Sequence, residues 1–470
     1  MAGTYSRRSF LKQMGTLGAT IALGGALSSC GSSGGSANTP STGGSATPIA
    51  SSPPSGGSAS GTVNFFARGD EAIFKVFHRL RDEFQKREPN IQVQIEEVPG
   101  DFYQKFQLKL ASGTPPDCLF ECDCTITSSI RAGALEPLDS FIANDARFDK
   151  SDYLPIAWYT SEYEGKTYGL PYDGGSMAMF YNKDLFKQAG IPPLSPEEPI
   201  TWDQLLEYGR KLTLDRNGKH PGEAGFDPRR IKQYAFDPQA SWVPWLWVWG
   251  NGGEVITKDG KVPLDEPAAA EGLQFVADLG TKHYISPSPQ FQQQGQISFL
   301  SGNVAMVFDG VWAMVRYRDA KFEWDVAPFP KGKVRVSTGW YSPLSMTAAA
   351  RNKEAAWKWI SFCCSEEGQR IVAELGQSVP PLKKLANSQV FLNPKVPPEH
   401  KQVFLDQLDQ SILRTPGDKM GKYFGGYVVE FRDIFNPAWD AVLRGDKQAA
   451  DAMKEVRPKL ENLLKTGKVS

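Results

Sequence analysis

The chain has 470 residues, 40% of them hydrophobic and 22% charged, with a formal net charge of -1. That length suits two or three domains of a globular protein, and the balanced charge gives no electrostatic case for nucleic acid or for an anionic membrane surface. The four histidines, His78, His220, His283 and His400, are far apart in the chain, so a local His-based metal site has no support and no cofactor is expected.

The N-terminus reads as an export signal. SRRSFLK matches the twin-arginine pattern, with Arg7 and Arg8 as the pair. The weakly apolar, Gly-rich stretch that follows is too short for a membrane span and ends in LSSC, which resembles a bacterial lipobox with Cys30 as the lipidated residue. Residues 1–29 are therefore read as a signal peptide. Residues 31–60 carry no charge and no aromatic ring, and cannot bury enough apolar surface to order themselves. With Cys30 they form a tether whose mean reach is roughly 30 Å.

The folded part is expected from about Gly61. VNFFA (63–67) reads as a buried strand. Asp70 is placed to cap a helix in which Ile73, Val76, Phe77, Leu80 and Phe84 recur at helical spacing. IQVQIEEV (91–98) alternates as a half-buried strand does. A second helix over about 101–111 leads through SGTPPD to an apolar strand, CLFEC (118–122). This alternation predicts a largely parallel α/β sheet. Further on, Thr201 with Gln204 forms a capping-box pattern ahead of a helix over 201–212. Residues 353–375 read as one long amphipathic helix or a pair, and 435–464 as strongly helical.

The order of LASGTPPDCLFECD, YGLPYDGGSMAMFYNKDLFKQAGI, WGNGGEVI, FLSGNVAMVFDGVWAM, DVAPFPKG and NKEAAWKWISFCCSEEGQ resembles the extracellular solute-binding proteins of ABC importers, the group that includes maltodextrin-binding proteins. The resemblance spans about residues 61–464. It implies an α/β, type II periplasmic-binding-protein-like fold of two discontinuous lobes around a ligand cleft. Lobe one would take 61–172 plus 345–390, and lobe two 173–344 plus 391–470. The implied role is capture of an extracellular carbohydrate by lobe closure, as a monomer held to the membrane by a lipid on Cys30, with delivery to permease subunits. The implied chemistry is binding rather than catalysis.

A sugar presents hydroxyls that need donors and acceptors, and C–H faces that stack on aromatic rings. The resemblance places Arg68 and Asp70 at the end of the first strand, and Glu121 and Asp123 at the end of CLFEC, on the cleft. Asp70 has an alternative role as a cap only. Tyr172 and Asp173 are expected at a crossover facing the ligand, although Asp-Gly-Gly is also turn chemistry. Trp312, with Asp309 beside it, is the main expected stacking residue. Gly339, Trp340 and Tyr341 are placed just before the return crossover, with Gly339 able to let backbone approach the ligand.

The run WVPWLWVWG (242–250) precedes GNGGEVI, which the resemblance reads as a loop and a strand. If the run is helical, Trp242, Trp245 and Trp249 share one face. Trp242 is assigned to the cleft, with Trp245 as its neighbour, and Trp247 and Trp249 to packing. Cys118, Cys122 and Cys124 lack the Cys-x-x-Cys pair of a metal site; a disulfide or reduced burial both stay open. A surface adhesin, which predicts no small-ligand response at all, is one alternative, and two further functions remain. One is the same fold holding a polyol phosphate, a polyamine or a metal chelate. The other is a glycoside-active enzyme, for which Glu121 with Asp123, or Asp173 with Asp309, would offer the carboxylate pair.

Overall fold

The computed structural model describes residues 59–239, 241, 243–288, 298–409, 411–414 and 416–468, with the side chains of 416–428 left aside. The leader motifs, Arg7, Arg8 and Cys30, lie outside this set, as does Trp242. No helix among the described residues is long and apolar enough to cross a membrane.

The first third of the chain folds as its periodicity predicts. Strand β1 (Gly61–Arg68) pairs in parallel with β2 (Ile91–Val98), across helix α1 (Glu71–Arg87). The face of α1 that carries Ile73, Val76, Phe77, Leu80 and Phe84 is buried, each such side chain contributing about 1.5–3 kcal/mol. Helix α2 (Phe102–Ala111) leads to β3 (Cys118–Phe120), parallel to β1 on its other side, and then to the short helix α3 (Ile126–Arg131).

The long strand β4 (Leu170–Asn182) has all thirteen residues buried. It gives no alternating pattern in sequence, and its Asp-Gly-Gly reads as a turn there. In the fold the two glycines are strand residues: a Cβ on Gly174 would stand 2.1 Å from the Trp340 carbonyl oxygen, and one on Gly175 would meet Val379. Helix α4 (Trp202–Leu212) starts with the capping box that Thr201 and Gln204 predict. It is followed by β5 (Leu214–Asp215), β6 (Ile231–Asp237), α5 (Trp245–Gly250) and α6 (Pro267–Thr281). GNGGEVI forms a turn and bends, not the loop and strand expected; Val255 and Ile256 pack into the core without a partner strand.

Strands β7 (Val304–Gly310), β8 (Trp324–Ala327) and β9 (Gly339–Met346) complete a nine-stranded sheet in the order β2-β1-β3-β9-β4-β7-β6-β5, with β8 also pairing β4. The first half of β4 pairs antiparallel with β9, and its second half with β7 and β8. These strands join two large cores, beside a smaller cluster around Phe66, Phe102 and Phe106 on the other face of β1 and β3. One surrounds β1, α1 and β3 and includes Trp359, Tyr341 and Phe404; the other surrounds β6, α5 and α6 and includes Phe435 and Trp439. Of the two readings of 353–375 the structure takes the pair, α7 (Lys353–Cys364) and α8 (Glu366–Leu375), separated at Ser365, which caps the second through the Gly368 N–H. The last two described helices are α9 (Pro416–Leu443) and α10 (Ala449–Thr466).

Candidate functional site

A cavity of about 450 Å3 opens beyond the carboxyl ends of β1 and β3, the place where α/β sheets commonly hold ligands. Four indoles reach it: Trp245 and Trp249 from α5, Trp312 from the turn after β7, and Trp340 from β9. The rings of Trp312 and Trp340 lie 5.5 Å apart.

The polar wall is a relay. Arg68 Nη2 donates to Ser342 Oγ at 2.7 Å, and Ser342 Oγ donates to Asp123 Oδ1 at 2.9 Å. The Arg68 guanidinium lies 4.1 Å over the Phe120 ring, which fixes its plane. Asp70 does both things the sequence offers for it. One oxygen accepts from the Ala72 and Ile73 N–H groups as the cap of α1, and the other accepts from Arg316 Nη1 at 2.7 Å. Asp173 also lines the cavity, with the Gln377 side chain beside its carboxyl. Burial pushes its carboxyl up to about 7 against the pull of nearby Arg68. Burial likewise raises Asp123, opposed first by Arg68, while it lowers Arg432, which stands across from Asp123.

The structure places five of the expected residues off this cavity. Tyr172 points away from the cavity, because neighbouring strand residues face opposite sides; its ring stacks on Phe77 with centroids 5.1 Å apart. Tyr341 is turned into the core for the same reason, its hydroxyl donating to the Val379 carbonyl. Glu121 stands behind the wall, fully buried, where it accepts from the Cys122 N–H at 2.8 Å and Thr125 Oγ1 at 2.9 Å. Asp309 lies behind Arg316, accepting from Tyr317 Oη at 2.9 Å and Arg316 Nη2 at 3.4 Å. Gly339 serves close strand packing, since a Cβ there would meet the Gly175 carbonyl at 2.6 Å.

Of the tryptophan run, Trp247 is fully buried among Trp202, Phe275 and Phe329, as packing. Trp249, expected to pack, reaches the cavity, as does Trp245, which rests against Phe435. Sequence reasoning missed Arg316, Arg432 and Ser342. Arg316 and Arg432 sit on helices at positions with no motif; Ser342 is a small residue in a strand. Cys122 and Cys124 also line the cavity and are joined by a disulfide, which settles the alternative left open for them; Cys118 is a buried free thiol.

Away from the cavity, Asp325, Glu399 and His400 bring possible ligand atoms within 4.8 Å of one another. Asp325 Oδ2 and His400 Nδ1 already pair at 2.6 Å, and Asp325 Oδ1 takes two backbone N–H groups.

A cavity walled by indoles and charged hydrogen-bonding groups, beside strands shared by two cores, is the arrangement of a receptor for a small polar solute. The family model for bacterial extracellular solute-binding proteins matches residues 69–370, and the chain belongs to that family. It is 25% identical over 400 residues to the maltotriose-binding protein of Pyrococcus abyssi, spanning 83% of this chain and 79% of that one. An ABC substrate-binding protein of Listeria monocytogenes, solved with cycloalternan, superposes with a TM-score of 0.75 at 23% identity, covering 86% of this chain and 99% of that one. The GacH receptor of Streptomyces glaucescens, solved unliganded and with acarbose, gives 0.70 at 25% identity, covering 87% and 99%. The fold is thus the type II arrangement of sugar-binding receptors, and membership of the family makes this an exported protein.

Proposed function

We propose that this chain is the capture component of an ABC importer and that its solute is an oligosaccharide. The observation that carries the reading is the four-indole wall (Trp245, Trp249, Trp312, Trp340) facing Arg68, Asp123 and Asp173 across one cavity. Indoles stack on the C–H faces of sugar rings, while the carboxylates and guanidinium groups serve the hydroxyls. A sugar hydroxyl that loses water on entering the cavity needs a partner there, since an unmet buried polar group costs about 1–3 kcal/mol, and the Asp123 and Asp173 carboxyls on the wall offer acceptors.

In this reading Arg68, Asp70, Asp123, Asp173, Trp245, Trp312 and Trp340 touch the ligand, and Trp242 is a further candidate. Lobe one would take 61–172 with 345–390, and lobe two 173–344 with 391–470, although Phe391, Val403, Phe404 and Leu408 pack into the first core and draw that segment toward lobe one. Ligand held by both lobes favours the closed form, which docks on the permease. No bond is made or broken. Residues 1–29 direct export, a lipid on Cys30 anchors the chain to the outer face of the cell membrane, and 31–60 are the tether of a monomer.

Arg68, Arg316 and Arg432 on the cavity favour a second reading, a phosphate-bearing polyol. Against it, Arg316 is paired with Asp70 and Asp309, and Asp123 stands beside both Arg68 and Arg432. A thermal-shift screen of maltose, maltotriose, longer maltodextrins, mannotriose and glycerol 3-phosphate decides between them. An oligosaccharide present at 100 times its Kd should stabilise the fold by about 2.7 kcal/mol. A shift with glycerol 3-phosphate alone would replace the first reading by the second.

A further inference from the structure

We propose that the Cys122–Cys124 disulfide is a positioning device for ligand binding: it clamps Asp123 against Ser342 and Arg68, so affinity at the cleft depends on the redox state of this one bond. The inference rests on the reading of the cavity as the solute site. Three observations carry it. First, the bond joins residues two apart and closes a small ring through the backbone of Asp123. Both half-cystines and Asp123 line the cavity.

Second, the ring is built into its surroundings on either side. The Cys122 N–H donates to Glu121 Oε1 at 2.8 Å, and the Cys124 N–H donates to Cys122 Sγ at 3.3 Å. The Cys122 carbonyl accepts from the Thr125 and Ile126 N–H groups, which starts α3. Asp123 thus stands at a strand-to-helix corner with little backbone freedom left. Without the bond, several backbone torsions at this corner are released, and ligand must order them again on binding.

Third, the remaining described cysteines cannot compete. Cys118, Cys363 and Cys364 are fully buried, and burial pushes their thiols up, away from the reactive thiolate. Cys122 and Cys124 are half-buried on a cavity wall that small reagents reach. A dithiol such as dithiothreitol attacks one sulfur, passes through the mixed disulfide and closes its own ring. Two electrons pass to the protein, and Cys122 and Cys124 each gain a proton. Oxidation outside the cytoplasm by a disulfide donor runs the same exchange backwards.

The test is calorimetric titration of the folded, oxidised protein with maltotriose, repeated after dithiothreitol, on wild type, Asp123→Asn and the double variant Cys122→Ser/Cys124→Ser. Amide exchange over 122–126 is followed in parallel. Reduction is expected to raise the wild-type Kd about tenfold or more, the scale of one charged hydrogen bond. It should also speed exchange over 122–126. The serine variant should show the weakened Kd in both conditions, and Asp123→Asn should be weak already and lose nothing further on reduction. Equal wild-type Kd with and without dithiothreitol, or an equal further loss in Asp123→Asn, would overturn the proposal. So would free thiols at 122 and 124 in protein purified from the cell exterior. If the oxidised protein binds neither maltotriose nor the longer maltodextrins nor mannotriose, the functional reading fails. The exchange measurement then decides the clamp alone: faster exchange on reduction upholds it, and unchanged exchange overturns it.

Discussion

Asp173 and the tryptophans are where single side chains can be tested. The folded-state value of Asp173, about 7, lies above its ordinary value of 3.8. The native protein therefore holds an extra proton between about pH 4 and 7, and unliganded stability falls as pH rises through that window. Asp173→Asn removes this cost. Denaturant unfolding should show the variant more stable by about 3–4 kcal/mol at pH 8 and nearly equal to wild type at about pH 4, with the gap opening between them. Parallel pH profiles of the two proteins would contradict the assignment. The indoles divide by role. Trp247→Ala opens a hole in a closed aromatic cluster and should cost about 3–5 kcal/mol of stability. Trp312→Ala and Trp340→Ala, on half-buried rings at the cavity, should cost less stability and weaken sugar binding at least about tenfold. At this scale the sequence was informative where a side chain follows a strand end, as with Arg68, Asp70 and Asp123. It was uninformative where strand phase decides: Tyr172 and Asp173 are neighbours, and only the register of β4 says which of them faces the ligand.

Strands β4 and β9 form the element on which the site turns, because their pairing sets Asp173, Trp340 and Ser342 side by side. The pairing needs glycine at 174. Gly174→Ala puts a methyl 2.1 Å from the Trp340 carbonyl oxygen, and relief requires moving backbone. The expected outcome is a loss of about 1–3 kcal/mol in stability, with sugar affinity lowered as well. Unchanged affinity would separate the site from this pairing. The amphipathic elements α1, β2 and α4 were readable because each has one polar face. Strand β4 was not: buried on both faces, it shows no alternation, and its glycines imitate a turn. Trp249 was assigned to packing because helical spacing says which residues share a face, not what that face meets. Arg316 and Arg432 are brought to the cavity by helices packed from later in the chain, and no local pattern marks them.

At the scale of the whole molecule, the proposed leader lies outside the described residues. If the leader acts as proposed, Arg7→Lys/Arg8→Lys should leave the protein in the cytoplasm, and Cys30→Ser should release exported protein from the membrane fraction. Fractionation and immunoblotting measure both. Membrane-bound Cys30→Ser protein would contradict the lipid anchor. The family and its fold were legible from motif order along the chain. The nine-stranded sheet that joins the cores was not, since β9 reaches β3 and β4 from more than 150 residues away. The central claim is that the indole-lined cavity holds an oligosaccharide. Its most direct test is calorimetric titration of the wild type and a Trp312→Ala/Trp340→Ala double variant with maltodextrins and mannotriose. Saturable one-to-one binding of at least one sugar by the wild type, weakened at least about tenfold in the variant, is the predicted result; heat signals indistinguishable from dilution for every sugar, or equal Kd in the two proteins, would contradict it.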